Sequence, residues 1–486
     1  MKPNRRVLMI SAAFPPTGGP GVQRTLKFAK YLPQFCWNPI VWTVERMDGL
    51  PQDATLLDEL PPEVERLSPK IRPSPTQAVR WILGEGLGGP KSAGRYSGLW
   101  SRATSPWLGR GGFPDDYGWW ALGSLSHLRE YLQKNPVDAI YSTFSPASNH
   151  WLAMLVKEST GLPWIADFRD LWVDDCRYKT RSREQRREHE QLQCRILTSA
   201  DVVVGVSEQQ TEILSRSVPQ EVHKFLTVTN GYDPEDFEAV KAIRRAPDER
   251  FVLAHVGRFD KARTPAGLFQ GLREFADRIG AAKDKVELRI IGHASADTLE
   301  RLKTTEWPFQ FRPYVSHREA IEEMVAADAL LLPLPMGRNA ETVIAAKLFE
   351  YLAAKRPILV VGPPDGACER IVRDSHAGIG VQPDATAIAD ALWKIVDDWL
   401  VERPFRGCSE RQLIPFQRTT LAGELADQLD QLVRRDPSEL RNKNSGGVAA
   451  IRSPFRATSP TLGAARVTLP WAMMRSASPL NKPERA

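Results

Sequence analysis

The chain predicts an α/β protein built as two doubly wound parallel sheets in tandem, and three observations carry this. Short continuous runs of Val, Ile and Leu recur along it, helical segments separate them, and the runs fall into two series. A strand that is apolar at every position is covered on both faces, as in a parallel sheet between helix layers. Alternation with helices joins such strands by right-handed crossovers. A length of 486 residues suits two or three domains better than one.

The first series comprises 6–14, 39–44, 137–144, 163–169, 200–207 and 225–231. The second comprises 251–257, 286–292, 309–315, 327–334, 356–362 and 377–382. A charged linker near 233–250, with Pro234 and Pro247, separates them. The pattern predicts a first domain over 1–235 and a second over 236–415. Helical periodicity returns over 416–433 within a segment 416–435, and 436–486 reads as a basic disordered tail rich in Ser, Pro, Ala and Arg. Between 51 and 117 the pattern fails in a Gly-, Pro- and Trp-rich insertion carrying Trp81, Trp100 and Trp107. Lys91, Arg95, Arg102 and Arg110 interleave there with Trp and Leu. That composition permits a peripheral membrane contact, and so does the basic tail; a partly ordered surface insertion is the plain alternative.

Composition bounds the function. Hydrophobic residues make up 42% and charged residues 26%, as in a soluble globular protein. No apolar run approaches a membrane span. The opening Met-Lys-Pro-Asn-Arg-Arg precedes an apolar run too short for a signal peptide, so it reads as the first strand and the expected location is cytoplasmic. Five cysteines, none closely paired, fit a reducing compartment and argue against a zinc site. The net charge of +6 misleads: from Arg441 onward eight basic residues face one acid, so the remaining chain sums to −1. No nucleic-acid partner is expected from so neutral a body.

Four clusters carry chemistry. The first strand runs into Pro15-Pro16-Thr17-Gly18-Gly19-Pro20-Gly21, a turn whose backbone N–H groups and following helix suit an anion or a sugar; a tight turn is the bland reading. The dinucleotide fingerprint is absent. Arg258, Lys261 and Arg263 follow the opening strand of the second series, where guanidinium forks suit phosphate oxygens. Lys347 and Glu350 lie three apart on one helix face before an apolar strand. A carboxylate there can hold ribose hydroxyls, at the strand edge where nucleotides bind. The fourth cluster joins His150 to Asp167, Arg169 and Asp170 at another strand end, where a structural pairing of Arg169 with an aspartate is the bland reading.

Together with Gln23-Arg24, Pro163 to Trp172, Ala200-Asp201-Val202-Val203, Asn230-Gly231-Tyr232-Asp233 and Lys347 to Leu352, these clusters resemble the family-4 glycosyltransferases of GT-B fold, particularly those of bacterial surface-polysaccharide synthesis. The resemblance implies two Rossmann-like domains facing a cleft, with the last helix crossing back to the first. It implies retaining, metal-independent transfer of a sugar from a nucleotide-diphosphate sugar, the donor substrate, to a glycan or lipid-linked acceptor, with no further cofactor. The family's phosphate-binding basic pair falls on Arg258 with Arg263 or Lys261, its ribose carboxylate on Glu350, and its active-site histidine on His150. Lys347 joins the donor site, Gly18 and Gly19 let substrate approach the backbone, and Asp170 positions sugar or acceptor. The family often has two glutamates eight apart, but eight before Glu350 stands Thr342. Thr342, or backbone N–H groups of 337–340, would then meet the transferred sugar. A non-catalytic binding protein and a GT-B-fold nucleotide-sugar epimerase are the rival readings.

Overall fold

Each of the twelve predicted runs forms a strand in the computed structural model, which describes residues 4–47, 50–71, 113–176, 182–238, 240, 250–403, 405 and 407–434. These lie within one unit, 1–449; the chain's other unit, 450–486, falls outside them. The three tryptophans and four basic residues noted in the insertion, and the predicted tail, also lie outside the described residues.

The first sheet is built from β1 (Arg5–Ile10), β2 (Trp37–Trp42), β3 (Glu65–Leu67), β4 (Ala139–Phe144), β5 (Trp164–Phe168), β6 (Val202–Gly205) and β7 (Phe225–Thr227). Its order is β3-β2-β1-β4-β5-β6-β7. The second contains β8 (Phe251–Phe259), β9 (Val286–Ala294), β10 (Phe309–Arg312), β11 (Ala329–Pro333), β12 (Ile358–Val361) and β13 (Gly378–Val381), ordered β10-β9-β8-β11-β12-β13. Neighbouring strands in both sheets pair in parallel. The central strands β4 and β5 are buried throughout, as their unbroken apolar runs require. β3 had no such run. It is a three-residue edge strand contributed by the insertion and paired with Ile40–Trp42.

The described helices are α1 (Pro20–Tyr31), α2 (Gly118–Lys134), α3 (Ala147–Thr160), α4 (Arg183–Ser199), α5 (Glu208–Arg216), α6 (Pro234–Glu238), α7 (Ala266–Ile279), α8 (Ala296–Lys303), α9 (His317–Ala326), α10 (Lys347–Ala354), α11 (Ala367–Asp374), α12 (Ala385–Leu400), α13 (Glu410–Leu413) and α14 (Arg418–Arg434). None is long and apolar enough to cross a membrane. In each sheet β–α loops gather at the carboxyl edge. There α1 follows β1, α3 follows β4, α7 follows β8 and α10 follows β11. This is where doubly wound folds bind ligands.

The predicted last helix crosses back. Leu413 and Phe416 belong to the second domain's core, whereas Leu421, Leu425 and Leu429 of α14 belong to the first domain's. Two backbone hydrogen bonds stitch this return beside the outward crossing: Tyr232 N–H to Phe416 O at 2.9 Å and Arg418 N–H to Tyr232 O at 2.9 Å.

Buried charge fixes α1 against this double crossing. The Arg24 guanidinium forks onto Asp167, donating through Nε at 2.7 Å and Nη2 at 2.9 Å. It also donates to the carbonyls of Val228 at 2.8 Å and Thr229 at 2.7 Å. Tyr141 completes the carboxylate with a hydroxyl donation at 2.5 Å. One turn further on, Lys27 Nζ reaches Glu59 at 2.5 Å, Asp233 at 2.7 Å and Asp236 at 3.3 Å. Those three carboxylates are close enough to ligate a cation, and the lysine ammonium fills that place. Its charge is held well above the ordinary lysine range: burial opposes it, and Asp236, Asp233 and Glu59 outweigh burial.

Arg24→Met should strand the Asp167 carboxylate in the core and cost about 3–5 kcal/mol, seen as a lower urea midpoint. Adding Asp167→Asn to that variant should restore part of the loss, because no unpaired charge then remains buried.

Candidate active site

At the second sheet's carboxyl edge, four of the predicted residues meet. β8 ends in Gly257-Arg258-Phe259, and Gly257 adopts φ 132, a conformation that L side chains rarely adopt. The aliphatic stem and ammonium of Lys347, first residue of α10, lie where a side chain at 257 would project. Asp260 collects the two arginines of the loop: Arg258 Nε at 3.3 Å and Arg263 Nη1 at 3.1 Å. The Lys347 ammonium feels Arg263, Glu350 and Asp260 directly. Lys261 is exposed and is not among the groups acting on Lys347, so the structure brings Arg263, rather than Lys261, beside Lys347. Tyr351 pins α10 to the strand ends, accepting from Val256 N–H at 2.9 Å and lying 3.5 Å from Leu331 O.

Neither the Lys347 nor the Glu350 side chain makes a hydrogen bond among the described residues, and both residues are half-buried. Burial, aided by Arg263, pushes the Lys347 ammonium down to about 7. Burial pushes the Glu350 carboxyl up, opposed by His317, Arg418 and Lys347. His317 opens α9 and touches Asp236 at 3.0 Å; burial is outweighed by Asp236 and Glu350, and its pKa is raised. Arg418 comes from the returning helix and has an unpartnered, buried Nη1. Burial, with Arg24 nearby, lowers it to about 10. Unbonded cations at the start of a helix are donors for a phosphate, and an unbonded carboxylate beside them accepts from a diol.

The first domain meets the second at the glycine turn. Gly19 has φ 98 and open space where a Cβ would stand. Gly18 donates its N–H to Pro51 O at 2.8 Å and lies under the Tyr314 hydroxyl, from the loop after β10. Burial raises that phenol, and Asp53 adds to the rise. A second bridge joins the domains where Arg338 pairs with Asp174 at 2.8 Å and Asn339 Nδ2 donates to Asp174 O at 2.9 Å.

Two predicted roles meet a different geometry. His150 has no exposed surface. Its Nδ1 lies 2.7 Å from Ser142 Oγ, and its ring packs 4.5 Å from Phe168 and 6.2 Å from Trp164. Burial drives its pKa down to about 3, against the pull of Asp167. It is enclosed in the first domain's core, so the structure does not bring it to the cleft. Thr342 is buried at the domain junction, where its hydroxyl donates to Asn339 O at 2.8 Å and its carbonyl accepts from Ser207 Oγ at 3.1 Å. The backbone N–H of Ala340 is likewise taken, by Gly337 O. Asp170 follows β5 at the carboxyl edge, beside Arg169 and acting on its charge. Tyr314, His317 and Arg418 were not singled out from the sequence. Each lies far along the chain from the motif it meets, and none stands in a distinctive pattern.

Comparison with known proteins fits this architecture. Residues 63–231 match the family model of the glycosyl transferase 4-like domain. No curated protein matches the chain in sequence. Among solved structures, sucrose-phosphate synthase from Thermosynechococcus elongatus is similar with a TM-score of 0.59 at 16% identity, over 88% of this chain and 99% of that one. WaaG, a glycosyltransferase involved in lipopolysaccharide biosynthesis, gives 0.52 at 12% identity over 87% and 99%. An E. coli trehalose-6-phosphate structure bound with UDP-2-fluoro glucose gives 0.57 at 12% over 88% and 100%. At such identities the likeness is one of fold. The fold is GT-B, and the resemblance to family-4 glycosyltransferases stands.

Lys347→Met should raise the unfolding midpoint at pH 6 and 7. The lysine's folded pKa of about 7 lies below its ordinary 10.5. Its burial therefore destabilises the protein fully below pH 7, and the penalty is relieved as pH rises toward 10.5. The gain from methionine should shrink over that window, measured by urea unfolding at a series of pH values.

Proposed function

We propose that the chain transfers a sugar from a nucleotide-diphosphate sugar to a glycan or lipid-linked acceptor, with retention of configuration. The convergence of Arg258, Arg263, Lys347 and Glu350 on one hollow carries this reading. A diphosphate against the three cations and the start of α10 would gain charge-assisted hydrogen bonds, the first for the Lys347 side chain, which has none among the described residues. The ribose hydroxyls would donate to Glu350. The sugar would then extend toward Gly18 and Gly19. The neighbour bound with UDP-2-fluoro glucose supports a nucleotide sugar as donor, and WaaG, involved in lipopolysaccharide biosynthesis, supports a place in surface-polysaccharide synthesis. In this reading the enzyme works in the cytoplasm, and side-chain cations rather than a metal meet the diphosphate.

The acceptor hydroxyl attacks the anomeric carbon on the face the diphosphate leaves. The anomeric carbon–oxygen bond to phosphate breaks as the new glycosidic bond forms. The hydroxyl proton passes to an oxygen of the departing phosphate. This route asks nothing of His150. Arg258, Arg263 and Lys347 stabilise the charge that develops on the leaving group, and the cleft supplies orientation.

Thermal unfolding with UDP, GDP and their sugars tests the donor site, where a ligand at a hundred times its Kd should stabilise by about 2.7 kcal/mol. Arg258→Ala and Glu350→Ala should lose most of that shift, and Arg258→Ala should lower turnover about a hundred- to a thousand-fold. Nucleotide diphosphate released only when acceptor is present supports transfer. Release without acceptor, or binding with no turnover on any acceptor, turns the reading toward an epimerase or a non-catalytic binder respectively.

Nucleotide diphosphate binding should also weaken as pH rises above about 7. The bound anion holds Lys347 protonated, so binding takes up a proton that the free site lacks at higher pH. Calorimetry in buffers of different ionisation enthalpy should register that uptake near pH 8, and Lys347→Met should abolish it.

A further inference from the structure

We propose that Arg418 is a positioning residue of the donor site: from the returning helix it supplies the counter-charge that holds the Glu350 carboxylate in place for the ribose diol. The inference deepens the transfer reading and rests on its donor site.

Arg418 opens α14, where the chain re-enters the first domain. Its backbone is fixed there, because its N–H donates to Tyr232 O at 2.9 Å on the outward crossing. Two residues earlier, the Phe416 ring packs 5.0 Å from that of Phe349, the neighbour of Glu350 on α10. Arg418 and Glu350 therefore flank one aromatic contact between the crossing and the donor helix. Arg418 is 3% exposed, and its Nη1 is buried with no hydrogen-bond partner. So enclosed a side chain acts on a ligand through a neighbour rather than by touching it.

The neighbours narrow to one. Arg24 of α1 repels the guanidinium, whereas Glu350, Asp233 and Tyr141 attract it. Asp233 is already held by Lys27 at 2.7 Å, Lys30 at 3.0 Å and the Tyr31 hydroxyl at 2.6 Å. Tyr141 gives its hydroxyl to Asp167. Of the three, Glu350 is the one whose side chain has no hydrogen bond among the described residues. Around it His317 of α9, Arg418 of α14 and Lys347 of its own helix favour the charged form, and Asp236 of α6 opposes it. His317 is bonded to Asp236 at 3.0 Å, and in the transfer reading Lys347 is taken up by the diphosphate. Arg418 is then the cation left to Glu350 when donor is bound. A fixed counter-charge keeps a carboxylate ionised, with both oxygens free to accept from a diol.

The experiment compares a ribonucleoside diphosphate with its 2′,3′-dideoxy analogue by calorimetry, using uridine or guanosine diphosphate, whichever stabilises the protein. Wild type should prefer the ribonucleotide about tenfold or more, because its hydroxyls meet a charged acceptor. Arg418→Met should remove most of that preference, and Arg418→Lys, which keeps the charge, should restore part of it. In a Glu350→Gln background, adding Arg418→Met should change ribonucleotide affinity less than about twofold, since the arginine acts through the glutamate. A second measurement needs no nucleotide: urea unfolding of wild type and Glu350→Gln from about pH 4 to 8. Burial raises the Glu350 pKa above its ordinary 4.5. Its ionisation therefore destabilises the fold increasingly from there upward, and the gain from glutamine levels off above the folded pKa. In an Arg418→Met background that levelling should move to higher pH. Should Arg418→Met not fold, Arg418→Gln takes its place throughout.

Three results overturn the proposal: a wild type indifferent to the diol, an undiminished diol preference in Arg418→Met, or full additivity of Arg418→Met with Glu350→Gln. If no nucleoside diphosphate binds wild type, the donor reading fails and the ribose role with it. The unfolding series then decides separately whether Arg418 is the counter-charge of Glu350, and an unshifted levelling makes it a structural cation only.

Discussion

One buried ion pair sets the geometry of everything around the cleft. Arg24 reaches from the first helix to Asp167 at the end of a central strand, and to the carbonyls of Val228 and Thr229 where the chain leaves the first domain. A buried pair of this kind is weak evidence of stability in itself, because desolvation offsets most of its attraction. Its consequence here is positional. It holds α1, and with it the glycine turn, at one place on the sheet edge. It fixes the start of the crossover to the second domain, and Lys27 with Asp233 continues that hold into the hinge.

The charges of the cleft divide accordingly. On the first domain's side the acids near α1 are engaged: Asp167 with Arg24, and Glu59, Asp233 and Asp236 with Lys27. The arginines that remain, Arg169 and Arg418, keep buried nitrogens without partners. On the second domain's side Asp260 is shared between two arginines and leaves Lys347 unbonded. Cations exceed acids on the second domain's side, where Arg258, Arg263 and Lys347 meet Asp260 and Glu350. Hollows of low dielectric with one sign of charge concentrate ligands of the other sign. Glu350, the carboxylate there without a hydrogen bond, suits the neutral diol of a ligand that is otherwise anionic.

The strands were legible because a sheet covered on both faces needs unbroken apolar runs, and both series met that need. β3 was not, since three edge residues with Glu65 and Arg66 carry no such signal. Lys347 and Glu350 could be read together because helix geometry alone relates residues three apart. Choosing between Lys261 and Arg263 was beyond the sequence: both follow the strand, and only the fold of the loop around Asp260 turns one inward. The motif at 167–170 was recognised, but its partners were not. Asp167 pairs with Arg24, 143 positions away, a relation that no local spacing encodes. His150 was misjudged for a similar reason. A histidine on the first turn of a helix at a strand edge looks accessible, yet Phe144, Phe168 and Trp164 close over it. Arg418 required knowing that the last helix returns beside the first crossing.

The disposition of these groups bears on how the reaction would be driven. A base able to strip the acceptor hydroxyl should be exposed in the cleft with an accessible lone pair. His150 is sealed, the Thr342 hydroxyl is committed to Asn339, and Glu350 is half-buried beside His317, Arg418 and Lys347. The groups poised to act are instead donors: guanidinium forks, an ammonium held near neutrality and helix starts. Such a set lowers a barrier by meeting negative charge as it appears on a leaving group, not by removing protons beforehand. The substrate's own phosphate oxygens are then the natural proton acceptors. Rate would follow the charge and binding of the diphosphate more closely than the acidity of the acceptor hydroxyl.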